Sequence, residues 1–339
     1  MDWFEKLTGF QELDYAQTRR KLSVENGKLH CAANGKSYGI GELELVSLQT
    51  LRERVYSGPD LPGRLKVSIV QGDVRAMHSA PENAGALFQV ASQFNLLEMV
   101  SPQVTPEQGV TGYEYDGTQG PACAMAAGAA TIYRNYFAMV DGKSGQTRDR
   151  QLNGLADIGL ALCYSLNLPL DALWTMRNGY AMCTRDGLET ISVHLARLNP
   201  EQNDGLRGLL RIGVHTNVEV TDHHGKPGIF VSQAYCSALP VAYAGDRIPA
   251  VYWTEFATLI LEAAYEATLS AAVLNAAKTG SNCVMLTRLG GGVFGNDAGW
   301  IDAAMRRAFR LFKNTDLDVR LVSFRPPTDS TIKIAEDFR

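Results

Sequence analysis

The sequence predicts an α/β protein, a three-layer α/β/α sandwich around a mixed sheet, preceded by a helical accessory segment. Three observations carry this. Short apolar or β-branched runs recur at 65–70 (LKVSIV), 86–91 (ALFQVA), 173–183, 209–220, 229–243, 283–289 and 318–324, as strands bounded by turn residues should. Between them, apolar residues fall at helical spacing over 121–137, 151–166, 187–198 and 254–278, and again from 297–300 onward. Strands alternating with helices bury a sheet between two helical layers. The 339 residues leave room for one large domain with insertions. The division expected is 1–60 as the accessory segment, with amphipathic stretches at 15–22 and 40–55, and 61–339 as the main domain with an insertion around 141–255. Gly58-Pro59-Asp60 and Pro62-Gly63 mark the boundary.

Composition narrows the function classes. A hydrophobic share of 45% and a charged share of 20% are those of a globular chain. The net charge of −4 and the absence of a basic run argue against nucleic-acid and membrane-surface partners. The opening MDWFEKLTGF has no apolar core of a leader, so a cytoplasmic location is expected, or the host cytosol for a secreted effector. The apolar stretch 259–277 is interrupted by Glu262 and Glu266 and followed by Lys278, which marks a soluble helix. The six cysteines form no CxxC pair, which reads as reduced, buried thiols. His223-His224 lies in a TDHHGKP run that reads as a hairpin turn, without a second ligand pair for zinc. No metal and no cofactor is expected, and a monomer is.

The most informative stretch is 283–309, CVMLTRLGGGVFGNDAGWIDAAMRRAF. A short apolar strand runs into Gly290-Gly291-Gly292, then Val293-Phe294-Gly295-Asn296, and a helix starts near 297–300. Glycine lets backbone approach a phosphate closely, and a helix N-terminus presents free N–H groups. No Gly-Lys-Ser/Thr follows, so this is not a P-loop, and GGGVFG is not a dinucleotide fingerprint. A plain tight turn is the alternative.

Three other places hold candidate chemistry. Gly72-Asp73-Val74 follows the 65–70 strand, where α/β folds place ligands, although an aspartate there also serves as a helix cap. Asn95 follows the 86–91 strand and can meet a ligand or satisfy loop backbone. The loop 101–120 (SPQVTPEQGVTGYEYDGTQG) carries Glu107, Glu114, Asp116 and Gln119 and is long for a compact domain. Paired carboxylates beside an anion cradle are what hydrolysis of a sugar bond needs; a solvated acidic loop is the alternative.

VSIVQGDV, FQVASQFN and LTRLGGGVFGN in this order resemble the macrodomain superfamily, whose members bind ADP-ribose. YEYDGTQGPACAMAAGAATIYRNYF and VSQAYCSALPVAY look closer to its poly(ADP-ribose)-glycohydrolase-like branch, and within it to the MavL-type ADP-ribosyl hydrolases. The resemblance covers roughly 65–325. It implies that Gly72-Asp73-Val74 meets the adenine, with Phe324 near it, that Asn95 meets the distal ribose, and that Gly290–Asn296 holds the diphosphate. Asp116 is taken as the residue that activates or orients water, with Glu114 and Glu107 behind it, and Gln119 or Glu114 as the group that holds the ribose hydroxyls or the leaving guanidinium. The usual Gly-Gly-Gly-Val after the asparagine is missing, and 110–120 stands in its place. The paired Glu-Glu of the glycohydrolases is absent too, so cleavage of poly(ADP-ribose) chains is not implied. The activity implied is removal of mono-ADP-ribose from a protein side chain, with arginine linkage and ubiquitin as the family's known case. A binding module without catalysis and a hydrolase of a free ADP-ribose metabolite are the rival readings.

Overall fold

Seven strands form the central sheet: β1 (Glu42–Ser47), β2 (Lys66–Gln71), β3 (Leu87–Ala91), β4 (Arg211–Glu219), β5 (Phe230–Cys236), β6 (Cys283–Leu286) and β7 (Asp318–Ser323). The structure, a computed structural model, describes residues 1–58, 60–222, 228–244 and 248–339. Pro59 of the expected boundary turn, and His223-His224 with the rest of their expected turn through Pro227, lie outside the described residues. The strand order is β1-β4-β5-β3-β6-β7-β2. β5, β3, β6, β7 and β2 run parallel, whereas β4 is antiparallel to β5 and β1 to β4. The sheet is therefore mixed, as the sequence predicts.

Alternation along the strands sorts side chains into two layers. Leu87, Ala234, Val284 and Leu286 face the cluster built on helix Ala250–Thr279. Phe88, Val90, Tyr235 and Met285 face the opposite cluster, which takes in Cys123, Ala127 and Ala130. Helix Ala250–Thr279 is long and apolar enough by composition to cross a membrane, but 83% of its most apolar window is buried inside the protein. Its Glu262 and Glu266 are neutralised by Arg207, Arg52 and Arg307.

Three sequence expectations need correction. Residues 40–55 are not one helix. Leu43 and Leu45 alternate with Glu42 and Glu44, a period of two, and pair with β4 as the sheet edge. The helix begins only at Leu48, where Ser47 Oγ accepts the Thr50 N–H at 3.1 Å. The first 60 residues are therefore not simply helical: they also hold a sheet of Leu22–Glu25, Lys28–Cys31 and Ser37–Gly39. Residues 173–183 are not one strand but a hairpin, Trp174–Arg177 and Tyr180–Cys183. Asn178 and Gly179 between them both have positive φ, the conformation that an Asn-Gly hairpin turn requires. The 121–137 helix is two, Gln119–Ala126 and Gly128–Tyr136. Thr221 bridges the break by donating its N–H to Ala126 O at 2.9 Å and accepting the Gly128 N–H on Oγ1 at 2.8 Å. All six cysteines are free, and all but Cys163 are buried.

Candidate active site

A cavity of about 290 Å³ opens beyond the carboxyl ends of β3, β5 and β6, where α/β sheets characteristically bind ligands. Its walls come from 91–93 and Glu98–Val100 after β3, from Asp116 and 118–121 at the start of helix Gln119–Ala126, and from the 287–294 segment after β6. Tyr180 and Tyr243 close it with Phe294. These three rings form one aromatic wall, with centroids 5.1 to 5.6 Å apart.

The chemically distinctive group is Glu98, which the sequence reading did not single out. It lines the cavity yet is only 2% exposed. Burial pushes its carboxyl up to about 7, against the opposing pull of Arg134 and Tyr113. Arg134 is itself fully buried: Nε donates to Leu96 O, Nη2 donates also to Thr131 Oγ1, and Nη1 has no partner among the described residues. The backbone entering Glu98 is held in an unusual shape, with Leu96 at φ 64°. A left-handed leucine is strained by roughly 1–3 kcal/mol, and here Arg134 Nε grips its carbonyl at 3.1 Å. A signal for this pair existed in the sequence. Glu98 is the lone charge in FNLLEMV, and Arg134 is the lone charge in AAGAATIYRNYF.

The glycine loop is where the sequence placed it. Gly290, Gly292, Val293 and Phe294 line the cavity, whereas Gly291, Gly295 and Asn296 do not. Gly290 (φ 73°) must be glycine, because a Cβ would stand 2.6 Å from the Ala238 Cβ and 2.7 Å from Asn296 Nδ2. Asn296 ties the loop to the β5 exit by donating to Leu239 O at 2.8 Å. The N–H groups of Gly292, Val293 and Phe294 have no acceptor among the described residues, so they remain available to an anion. Thr118 precedes the other helix start without capping it through its side chain, which leaves orphan N–H groups there. Helix Ala298–Leu311 is capped by its own Asp297, which accepts the Gly299 N–H at 2.7 Å.

The remaining expected residues scatter. Asp116 lines the cavity and accepts the Thr118 N–H at 2.9 Å. Glu114 is exposed and faces the N-terminal helix, accepting the Trp3 N–H at 3.3 Å. Glu107 accepts the Arg148 N–H at 2.8 Å, away from the cavity wall. Gln119 lines the cavity, but its amide is committed to β3: Oε1 accepts from Ala91 N and Nε2 donates to Gln89 O. Asn95 is fully buried, donating to Gln151 Oε1 at 2.8 Å and accepting the Leu97 N–H at 3.1 Å, and does not line the cavity. Asp73 is an exposed helix cap that accepts the Arg75 N–H at 2.9 Å, and Val74 is buried beneath it. Gly72 donates to Ser323 O at 3.0 Å, which sets Asp73 beside the exposed Phe324 at the ends of β2 and β7. Among the described residues, no group of three or more His, Cys, Asp or Glu side chains is arranged to hold a metal ion.

No family model matches this chain, and no curated protein matches it. Among solved structures it is similar to a poly(ADP-ribose) glycohydrolase from Thermomonospora curvata, at 14% identity and a TM-score of 0.46, covering 95% of this chain and 96% of that one. It is similar to the same glycohydrolase bound to the inhibitor ADP-HPD, at 15% identity and a TM-score of 0.44 over 96% and 97% of the two chains. It is also similar to a poly(ADP-ribose) glycohydrolase from Deinococcus radiodurans in complex with ADP-ribose, at 12% identity and a TM-score of 0.43 over 87% and 92%. The fold described above rests on its own strand order and register.

Proposed function

We propose that this protein is an ADP-ribosyl hydrolase that cleaves the glycosidic bond at the distal ribose of mono-ADP-ribose carried on a protein side chain. The observation that carries the reading is Glu98: a buried carboxyl poised near neutrality on the wall of a cavity bordered by free backbone N–H groups. An acid whose pKa lies near the working pH is suited to proton transfer. In its protonated form Glu98 can hand its proton to the leaving atom as the bond to C1 of the ribose breaks. Asp116, on the same cavity wall, can take a proton from the water whose oxygen forms the new bond to that carbon. The net reaction adds one water, and the catalytic carboxyls exchange their proton with solvent to reset.

The sheet edge supports a ligand of this length. β3, β6, β7 and β2 are consecutive parallel neighbours, so their carboxyl ends lie in a row. At about 4.8 Å between strands, that row spans roughly 14 Å from Glu98, past the glycine loop, to Phe324 and Asp73. A distal ribose at Glu98, a diphosphate against Gly292–Phe294 and an adenine toward Asp73 and Phe324 fit that order. Arginine linkage, ubiquitin as the carrier and action in a cytosol are the finer parts of this proposal. The binding-only reading is favoured by Glu107 and Glu114 lying off the cavity wall. The experiment is incubation with ADP-ribosyl-arginine ubiquitin and with free ADP-ribose esters, following release by mass. Release from ubiquitin that Glu98→Gln abolishes supports the proposal; release from esters alone supports the metabolite reading; ADP-ribose binding with no release from either leaves a binding module.

A further inference from the structure

Glu12 lies far from the cavity in sequence and in the segment set apart as accessory, yet its carboxylate is the anchor of the 110–116 turn. It accepts the Val110 N–H through both oxygens at 2.9 Å, the Thr111 N–H at 2.7 Å and the Tyr136 hydroxyl at 2.7 Å. These amides open the short helix Thr111–Tyr115, whose first N–H groups have no partner within the turn. Gly109 (φ 80°) makes the approach possible: a Cβ there would stand 2.4 Å from the Glu12 carboxylate. The anchored turn reaches the cavity on two sides. Tyr113, buried against the N-terminal cluster of Trp3, Phe4 and Phe10, accepts the Glu98 N–H on its hydroxyl at 3.0 Å. The Tyr113 carbonyl in turn accepts the Asp116 N–H at 3.2 Å.

We propose that Glu12 is a positioning residue of this site: by holding Val110 and Thr111 it sets Tyr113 against Glu98 and fixes the start of Asp116, so that an N-terminal side chain governs the acid–base pair. The effect on rate rests on the hydrolase reading above; the effect on Glu98 does not. The groups that face Glu98 are Arg134, Tyr113, Cys123 and Tyr235. Of these, Arg134 and Tyr113 oppose the upward push of burial. Displacing Tyr113 removes one of those two restraints, so the Glu98 carboxyl should titrate at higher pH.

The test uses the full chain labelled with ¹³C at glutamate side-chain carboxyls, with the Glu98 resonance assigned by its loss in Glu98→Gln. In Glu12→Ala the Glu98 midpoint should move up, because the Tyr113 hydroxyl that holds the Glu98 main chain and lowers its carboxyl pKa is displaced. Tyr113→Phe should move it in the same direction, and the double variant should move it no further than the larger single one, because both act through one contact. Turnover of ADP-ribosyl substrate should fall on the order of 10- to 100-fold, the scale of a misplaced catalytic group. If Glu12→Ala does not fold, Glu12→Gln, which loses the two-oxygen grip on Val110, should give a smaller shift of the same sign. A folded variant with an unmoved Glu98 titration, or fully additive shifts, overturns the proposal. A shifted titration in a protein that releases no ADP-ribose upholds the positioning role and overturns the hydrolase reading instead.

Discussion

The Arg134 Nη2 stands 3.4 Å from each carboxylate oxygen of Glu98, well beyond the roughly 2.7–2.9 Å of a strong charge-assisted bond. Arg134 is held back by Leu96 O and Thr131 Oγ1, and its guanidinium lies 3.8 Å from the Tyr235 ring centroid. The ion pair is therefore too loose to overcome burial, and Glu98 remains protonated over much of the range up to about 7. Glu98→Gln keeps the volume and removes the titrating proton. Turnover should drop about a hundred- to ten-thousand-fold, with ADP-ribose affinity kept, and the inflection near pH 7 should vanish from the residual pH–rate profile. Calorimetry and a pH–rate series on the same preparation check both; unchanged turnover would remove Glu98 from the chemistry.

Asp116 is separable from its structural duty. Asp116→Asn retains an oxygen to accept the Thr118 N–H and discards the charge. If the carboxylate takes the proton from water, the rate should fall at least about a hundredfold with little change in melting. Asp116→Ala should add a loss of about 1 kcal/mol, the typical worth of such a side-chain turn or cap. Equal turnover in Asn variant and wild type would leave Asp116 as a turn residue only.

The glycine loop offers a matched pair of substitutions. At Gly292 a Cβ meets nothing within 4 Å and no positive φ is required, so Gly292→Val should melt normally while crowding the cavity wall where the unpartnered N–H groups of 292–294 lie. Its ADP-ribose affinity should fall about tenfold or more, equivalent to about 1.4 kcal/mol. Gly290→Ala meets Ala238 and Asn296 at a left-handed φ and should lower stability as well as binding. Gly291 is the poorer probe, since its Cβ would sit 3.0 Å from Ile301 Cδ1. Isothermal titration with thermal melts distinguishes the cases, and full affinity in Gly292→Val would make the loop a mere turn.

Acid should destabilise the fold through His78. The ring is fully buried, donates Nδ1–H to Val74 O at 2.7 Å and receives Gln233 Nε2 on Nε2 at 3.1 Å. Gln233 cannot turn round, because its Nε2 also donates to the Cys123 carbonyl at 2.9 Å, which can only accept. Burial lowers the His78 pKa to about 4. The unfolded chain takes up the proton first, near pH 6.5, so His78 contributes no loss above that pH. Below it, stability falls as the pH drops from about 6.5 toward 4, by up to about 3 kcal/mol. His215, also fully buried and shifted downward, adds to the same slope. Glu98 opposes it: its raised pKa favours the fold at low pH and gives that up as the pH rises toward 7. Urea midpoints of wild type and His78→Gln between pH 4 and 7 check this. The variant should be weaker at pH 7 and show a flatter dependence, and an identical slope would exclude His78.

The sequence by itself determined the α/β class, several of the sheet's strands and the place of the glycine turn before the helix. β-branched alternation in LKVSIV, the apolar run of β6, and three glycines leading to an Asp297-capped helix are local patterns, and local patterns survive without knowledge of neighbours. It also held the Asn178-Gly179 hairpin, a signal concealed by apolar residues on both sides. The tertiary structure alone decided which polar groups are free to act. Asn95, Gln119, Glu107 and Glu114 have fitting chemistry in the sequence, but each has its side chain committed to a neighbour or lies off the cavity wall, whereas Asp73 stays exposed with only Oδ1 on the Arg75 N–H. Glu98 is an ordinary glutamate until folding brings Tyr113, Cys123 and Tyr235 to it, holds Arg134 at 3.4 Å and buries the carboxyl. Ionisation depends on desolvation and on distances to charges far apart in the chain, which no linear pattern encodes. The same reason hides Glu12, whose partners at Val110, Thr111 and Tyr136 come into reach only when the N-terminal cluster packs.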